Sequence, residues 1–226
     1  FAQLDQGFNQ MSSRLQQLYA HLEQEVAEKT HDLASKNYTL ETLYFFSRFL
    51  SQAHVSGEAC EMFLQKVMAL VPAKAGSIRL LDFKRRRMDL ISHIGLPETL
   101  QNADACRQLD DCLCGQSVCQ GNWQPIHFHD YPLVDDSVTN CKKAGFHHLQ
   151  VFKICYSGQE LGMMTLYFEQ DCAPNTVSDY LLDALCNQLG LVLTNIRLAD
   201  ESRQLAVLQE RNLMAQGLHD SIAQTL

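Results

Sequence analysis

Three polar side chains near the end of the sequence have types and spacing that suit chemistry on a helix surface. His219 and Asp220 are adjacent in "LHDSIAQTL", and Gln224 follows Asp220 by four residues. Residues four apart share one face of an α-helix. A histidine with an ordinary pKa of about 6.5 is mostly neutral near pH 7, and a neighbouring carboxylate can orient its ring or accept its proton. The pattern leaves two interpretations open, a nucleophilic His219 or a solvated His–Asp pair.

Cysteines form a second group of potentially reactive residues. The sequence has 9 of them, and four lie within residues 106–119: Cys106, Cys112, Cys114 and Cys119. Thiolates bind zinc and iron–sulfur clusters, but the C-x5-C-x-C-x4-C spacing fits neither the usual zinc pattern nor the ferredoxin pattern closely. Cys141 could complete a set, and Asp110 and Asp111 lie inside the run. Free thiols, a metal or iron–sulfur cluster, and thiol redox switching all stay open.

Histidines in the middle of the chain suggest a further metal site. His127 and His129 alternate along the predicted strand "NWQPIHFHD", so they would share one face of a sheet. A two-histidine site with Cys141 is one interpretation. Histidines on a polar face, together with His147 and His148, are the other. No Ser-His-Asp, Walker-type or HExxH pattern is present, so we do not expect the middle of the chain to be an enzyme.

Composition limits the class of protein. The chain has 226 residues, 46% of them apolar and 19% charged, which fits one soluble globular domain with extensions. The net charge of −8 argues against direct binding to nucleic acid. The cysteine usage is typical of a reducing, cytosolic setting. Because the sequence begins at Phe1 without a signal-peptide pattern, we expect an internal fragment of a longer protein whose membrane segment lies upstream.

The N-terminal segment predicts one long helix with a coiled-coil seam. Its apolar residues recur at alternating steps of four and three, with an extra residue that makes a stutter. No Gly or Pro falls between Phe8 and Val55, so the helix is expected to be continuous to that point. The seam consists of Leu4, Phe8, Met11, Leu15, Leu18, Leu22, Val26, Leu33 and Leu40. A plain dimerising rod and a signal-carrying rod both fit this pattern.

The rest of the chain predicts an antiparallel α+β domain followed by a second helical rod. "GEACEMFLQKVMALVP" reads as an amphipathic helix, and "AGSIRLLDF" with "RMDLISHIGLP" as a hairpin around the basic turn in "FKRRRMD". "HLQVFKICYSGQELGMMTLYFEQ" reads as two strands joined at "SGQ". The C-terminal rod opens with an apolar stripe: Leu182, Leu185, Leu189, Val192 and Ile196.

"ERNLMAQGLHDSIAQTL" resembles the start of the dimerisation and phosphoacceptor domain of one subfamily of sensor histidine kinases. The "HDSIAQ" form is most similar to the nitrate/nitrite sensor kinases of bacteria. The resemblance rests on an ER-x3-A-x2-LHD-x3-Q pattern, here Glu210, Arg211, Leu218, His219, Asp220 and Gln224. Gly217 departs from the helix formers usual at its position.

Three further stretches resemble other modules of such kinases. "FNQMSSRL" is similar to the closing helix of a HAMP domain, and "LEQEVAEKTHDLASKN" to the signalling helix that follows it. The central sequence resembles a GAF domain in "LCGQSVCQGNWQPI", "AGFHHLQVFKI" and "LGMMTLYF". The resemblance implies the end of a HAMP domain in residues 1–20, a signalling helix in 21–55, a GAF-like domain in 56–197, and a signalling helix with the start of the phosphoacceptor domain in 198–226.

The resemblance also implies a function. His219 would be the phosphoacceptor, Asp220 the base or orienting carboxylate, and Gln224 the residue that positions water for the phosphatase reaction. The chain would be the cytoplasmic portion of a homodimeric inner-membrane protein, with a response regulator as partner. ATP would serve the complete enzyme, and we expect this chain, which lacks an ATP-binding domain, not to phosphorylate itself. The alternative is a GAF-type ligand- or redox-sensing module that uses the cysteine cluster.

Overall fold

The structure is a computed structural model that describes residues 2–104, 106–120, 126–128, 136–169 and 178–223. It describes side chains within residues 14–102, 108–120, 126–128, 140–169 and 178–214. The chain divides into two compact units, Phe1–Phe45 and Phe46–Leu226. Among the described residues, no helix has the length and apolar character that crossing a bilayer requires.

Helices and strands alternate without the regular βαβ pattern of a parallel sheet. In chain order they are α1 (Ala2–Leu50), α2 (Ser56–Leu70), β1 (Ala75–Asp82), β2 (Arg87–Ile94), α3 (Glu98–Asp104), β3 (Cys106–Gln108), a 3-10 turn (Leu109–Asp111), α4 (Leu113–Gln120), β4 (Ile126–His127), α5 (Asp136–Lys143), β5 (His148–Tyr156), β6 (Gln159–Phe168) and α6 (Asp179–Ala223).

The six strands form one sheet in the order β3-β2-β1-β6-β5-β4, and every pair of neighbours is antiparallel. The hairpin β5–β6 turns through Ser157 and Gly158, whose φ angles are 49° and 78°. Two successive residues with positive φ are typical of the type I′ turn that matches the twist of paired strands. The predicted α+β class with an antiparallel sheet is confirmed, and so is the turn at "SGQ".

The first unit consists of the helix α1 up to Phe45. Its predicted seam residues between positions 14 and 40 are all exposed in the single chain, with Leu18 at 64% and Leu40 at 63%. A continuous helix is confirmed there, but a coiled-coil dimer stays a prediction. The helix ends at Leu50 rather than running to Val55. The Ser51 hydroxyl donates to the Arg48 carbonyl at 2.7 Å, and the Ala53 amide donates to the Leu50 carbonyl, which tightens the last turn.

In the second unit, long helices cover one face of the sheet. The last turn of α1 is buried there, with Phe46 packed edge-on against Phe63 of α2 at 5.5 Å between ring centroids. Helix α6 lies against β5, and its buried stripe is Leu181, Leu182, Leu185, Cys186, Leu189 and Leu193. Val192 and Ile196, which the sequence placed in that stripe, are only partly buried.

The other face of the sheet carries a second apolar cluster. Side chains from the sheet pack there with the short elements that follow β2, including Leu100 of α3, Leu109 of the 3-10 turn and Leu113 of α4. Strand residues alternate between the two faces, so Gly76 meets Leu64 and Met68 of α2 while its neighbour Ala75 belongs to this second cluster. Both faces of the sheet are therefore buried.

The fold predicts that two glycine substitutions have different effects on stability. A Cβ at Gly190 of α6 would collide with the backbone carbonyl of Cys155 in β5. Gly190→Ala should therefore lower the free energy of unfolding by about 1–3 kcal/mol, as overpacking does in other cores. The control is Gly57→Ala at the start of α2, where the new methyl group meets nothing within 4 Å. Urea denaturation should show no loss for the control; equal stability of both variants would contradict the close packing of α6 on the sheet.

Candidate functional site

Three hydrogen-bonded polar side chains lie in the middle of the sheet, on the face that carries the short helices. Ser77 and Arg79 alternate along β1, so both point to this face, and Tyr167 comes from the adjacent strand β6. Arg79 Nη1 donates to Ser77 Oγ at 2.6 Å and to the Tyr167 hydroxyl at 3.2 Å, and Ser77 Oγ lies 3.1 Å from that hydroxyl. We call these three residues the polar triad.

Burial makes the polar triad energetically important. Arg79 is only 3% exposed, and Ser77 and Tyr167 are buried as well. A buried charge is costly unless hydrogen bonds compensate for the lost water. Burial raises the pKa of the Tyr167 phenol far above its usual range, while the nearby guanidinium of Arg79 acts in the opposite direction. Tyr167 therefore stays protonated and keeps its hydroxyl hydrogen.

Cysteines from two short helices lie beside the polar triad. Cys114 of α4 is 6% exposed and packs in the same apolar cluster as Tyr167, with Cys112 and Cys141 partly buried against that cluster. The hydrogen bond that Cys114 makes with Cys112, together with burial, raises the pKa of the Cys114 thiol well above its usual value. Cys114 is therefore a protonated thiol. Cys112, Cys114 and Cys141 all lie in or against this one apolar cluster.

Tight packing fixes the start of α4, which positions these thiols. A Cβ at Gly115 would overlap the carbonyl of Leu109, so the helix approaches the preceding 3-10 turn at a position that only glycine permits. Gln108 and Asp111 form a reciprocal capping box on that turn. Arg86, in the β1–β2 turn, donates to both carboxylate oxygens of Asp110 at 2.9 and 2.7 Å. These contacts join the turn before α4 to the sheet.

The predicted four-cysteine metal site is not assembled among the described side chains. No group of three or more His, Cys, Asp or Glu side chains that could hold a metal ion occurs in the described part of the chain. Cys119 is exposed at the end of α4. The backbone of Cys106 lies in β3, but its side chain is outside the described residues. A cluster that includes Cys106 therefore stays a prediction.

The predicted histidine sites have two different outcomes. His148 is buried at 6% exposure, not on a polar face as predicted, because its ring stacks on Phe168 at 4.5 Å. The ring of His127 contacts that of His148 at 5.2 Å across the β4–β5 pair. His147 is exposed, as expected of a polar-face residue. His129 lies outside the described residues.

The basic turn between β1 and β2 is neutralised by acidic neighbours. Each of its arginines lies within ion-pair distance of a carboxylate: Arg85 with Asp82 at 3.8 Å, Arg86 with Asp110 at 2.7 Å and Arg87 with Asp89 at 3.1 Å. Exposed pairs of this kind contribute little to stability, but they leave less positive charge for an anionic partner. The turn is better described as a solvated loop.

The predicted phosphoacceptor residues lie at the far end of α6. The backbone is helical through Ala223, so His219 and Asp220 lie on a helix, as the sequence predicts. Their side chains are outside the described part of the structure, and Gln224 lies outside the described residues altogether. The role of these three residues stays a prediction.

A groove of about 1120 Å³ lies where α6 continues past the domain. The loop between α1 and α2, the end of β1, the start of β6 and residues 193–203 of α6 line it. Its charged side chains have both signs, with Asp82 and Glu160 on the strands and Arg197 and Arg203 on the helix. The groove contains none of the cysteines and no member of the polar triad.

The sequence did not identify the polar triad. One signal was available, because Arg79 interrupts the apolar run "SIRLL" inside a predicted strand that must be buried. A charged residue in such a position needs hydrogen-bond partners from neighbouring strands. The partner strand could not be assigned from one sequence, so Ser77 and Tyr167 could not be connected with it.

The polar triad predicts that Tyr167→Phe lowers the free energy of unfolding, even though the substitution removes only one oxygen atom. The variant leaves buried Arg79 and Ser77 with one hydrogen-bond partner fewer, which should cost about 1–3 kcal/mol. Tyr180→Phe is the control, because Tyr180 is 76% exposed. Both are measured by urea denaturation at pH 7. Equal stability of Y167F and Y180F would contradict the role of the hydroxyl.

The stability of the wild type should also depend on pH. It should fall above pH about 10, since the unfolded phenol then ionises and the folded one does not. Y167F should lack this contribution.

Comparison with solved structures identifies the fold. The GAF domain of an Acinetobacter phosphoenolpyruvate-protein phosphotransferase superimposes with a TM-score of 0.58 at 15% identity, covering 73% of this chain and 98% of that one. A domain of a Sinorhizobium meliloti protein described as a two-component sensor histidine kinase gives 0.51 at 19%, with 65% and 96% covered. Free methionine-R-sulfoxide reductase from Neisseria meningitidis, in complex with its substrate, gives 0.56 at 12%, with 71% and 91% covered.

Sequence comparison adds no family assignment. No protein-family model matches the chain, and no curated protein matches it. At these identities the structural similarity concerns the fold alone. The chain contains a domain with a GAF-like fold.

Proposed function

We propose that this chain is the cytoplasmic relay portion of a dimeric, membrane-anchored sensor histidine kinase of the nitrate/nitrite type. The observation that carries the proposal is a GAF-like domain whose core contains segments of two long helices. Helix α1 contributes its last turn, and α6 contributes its first turns before continuing to Ala223. A domain built in this way can respond to one helix and act on the other.

A chain of contacts inside the second unit supports the relay. Phe46 of α1 packs against Phe63 of α2, and α2 packs against α6. Leu50 of α1 and Leu189 of α6 are completely buried in this unit. Because a close-packed core deforms little, a displacement of the last turn of α1 would change the packing of α2 and α6.

The apolar surface of α6 beyond the domain supports a paired helix. Leu198, Leu205 and Leu208 are 57%, 61% and 55% exposed in the single chain. They are separated by steps of seven and three residues and share one face of the helix, so a second copy of the helix could cover them. In that arrangement two copies of His219 would be carried on a paired helical rod, and a change in helix packing would alter their position.

The proposed chemistry at His219 is phosphoryl transfer. A neutral imidazole nitrogen would attack the γ-phosphate of ATP held by a separate ATP-binding domain, in line with the leaving oxygen. Asp220 would orient the ring or accept its proton. The phosphoryl group would then pass to an aspartate of a response regulator, and Gln224 would position the water that removes it again. ATP is the phosphoryl donor, and this chain contributes the acceptor.

The dimer can be tested at the predicted seam of α1. Leu22, 56% exposed in the single chain, is a seam residue, whereas Ala20 lies on the opposite side of the heptad. Leu22→Glu should weaken dimerisation because it places two carboxylates in an apolar seam. Ala20→Glu adds the same charge and should leave dimerisation unchanged. Sedimentation equilibrium measures both; a dimer of equal strength in the two variants would exclude the seam.

The phosphoacceptor can be tested with two His–Asp pairs in the same chain. His219→Gln in the longer protein that carries an ATP-binding domain should abolish acid-labile, base-stable phosphate labelling from ATP, because no other side chain replaces the nucleophile. His31→Gln is the matched control, since His31 also precedes an aspartate on an exposed helix, where Asp32 pairs with Lys36 at 2.9 Å. The control should label normally. Persistent labelling of H219Q would refute the assignment.

A further inference from the structure

The start of α4 contains two cysteine thiols separated by one residue. Cys112 immediately precedes the helix, and its Sγ accepts the Gly115 amide hydrogen at 3.5 Å, in the manner of a helix N-cap. Cys114 lies in the first turn of the helix, where its interaction with Cys112 and its burial raise the pKa of its thiol. Two thiols at one helix end, one of them fixed by a backbone amide, form an arrangement that neither a relay domain nor the polar triad requires.

The backbone between these cysteines suits a disulfide. Leu113 is the first helical residue, and helical geometry places Cα atoms two positions apart at about 5.4 Å. Disulfides span Cα distances of roughly 4.4–6.8 Å. Cys112 has an extended backbone, with φ −150° and ψ 159°, which turns its side chain back over the first turn of the helix. The backbone therefore already has the Cα separation that a Cys112–Cys114 disulfide requires.

The two thiols differ in their access to solvent. Cys112 is partly buried, whereas Cys114 is 6% exposed and covered by the apolar cluster. A small oxidant reaches Cys112 first, and Cys114 then lies within reach as the second thiol. This order of access is that of an attacking thiol with a resolving thiol.

We propose that Cys112 and Cys114 form a reversible thiol–disulfide site that reacts with small hydroperoxides. The Cys112 sulfur attacks one oxygen of hydrogen peroxide, the O–O bond breaks, and a sulfenic acid and one water form. The Cys114 sulfur then attacks the Cys112 sulfur, the S–O bond breaks, and the hydroxyl leaves with the Cys114 proton as a second water. Two thiols and one peroxide thus give one disulfide and two waters. A dithiol reductant returns the disulfide to two thiols by exchange and is itself oxidised to a disulfide.

Oxidation at this site would change the packing of the domain core. The new bond removes the Cys112 sulfur from its position as acceptor for the Gly115 amide. Leu113 and Val118 of α4 pack in the apolar cluster that contains Tyr167. A change at the first turn of α4 therefore alters the cover over the polar triad. The site does not depend on the proposed relay function, and the two can fail separately.

Differential labelling of the full chain tests the proposal. The protein is treated anaerobically with one equivalent of hydrogen peroxide, remaining thiols are blocked with iodoacetamide in denaturant, and the protein is then reduced and labelled with N-ethylmaleimide. The blocking step is carried out in denaturant because buried thiols such as Cys186 escape iodoacetamide in the folded protein. Mass spectrometry should then place the second label on Cys112 and Cys114 alone. Cys114→Ser should stop at a sulfenic acid on Cys112, which dimedone traps. Cys112→Ser should leave Cys114 unlabelled.

Cys119→Ser is the matched control, because Cys119 lies on the same helix and is exposed. It should form the disulfide as the wild type does, and its melting temperature shows whether serine is tolerated in α4. A disulfide that includes Cys119 or Cys141 would overturn the proposal, as would unchanged oxidation in C112S. Stoichiometric zinc or iron in the purified protein, with these thiols protected, would also overturn it. If C114S fails to fold, the labelling pattern of the wild type decides by itself.

Discussion

The close approach of α6 to the sheet is the contact on which the second unit depends. Gly190 lets the helix axis come near enough for its leucines to reach the strands, because any side chain there would meet the Cys155 carbonyl. Over two turns of the helix, the side chains of Leu182, Leu185, Cys186 and Leu189 are then completely buried. At about 1.5–3 kcal/mol for each fully buried leucine, this stripe holds α6 to β5, and the rest of the helix extends from that anchor.

This packing also determines which elements can cover the other face of the sheet. In the described part of the chain, α2 and α6 occupy one face, and the apolar residues on the opposite face pack with short helices, a 3-10 turn and loop residues such as Phe146. Short elements cannot exclude water by themselves, so their ends are fixed by specific contacts, such as Gly115 against Leu109 and Arg86 with Asp110. The three buried side chains of the polar triad lie on this second face. Arg79, the only buried charged residue of the described part of the chain, lies there with its hydroxyl partners.

Sequence reasoning was reliable where local patterns determine structure. The β5–β6 hairpin has alternating apolar residues and a turn of two residues, so its strands pair with each other without information from elsewhere. The long helix α6 is determined by its periodic stripe. The helix α4 could not be anticipated, since "LCGQSVCQ" has no strong periodicity and the cysteines suggested a metal site instead. The polar triad escaped prediction for a different reason: it joins residues 88 positions apart, and only the pairing of β1 with β6 brings Arg79 to Tyr167.

The same strands contact both faces, so the proposed thiol site and the proposed relay share one sheet. Along β1, Ser77 and Arg79 point to the cysteine side, while Gly76 and the completely buried Ile78 point to the helices. A change in packing over the polar triad would therefore act on β1, whose alternate residues pack against α2. In β6, Tyr167 likewise points to the cysteine side, and the buried Leu166 points to the helices. A sheet buried on both faces cannot change its packing on one side without adjusting the other. Thiol chemistry at α4 and the position of α6 would thus be coupled through β1 and β6, with no need for a direct contact between the two helices.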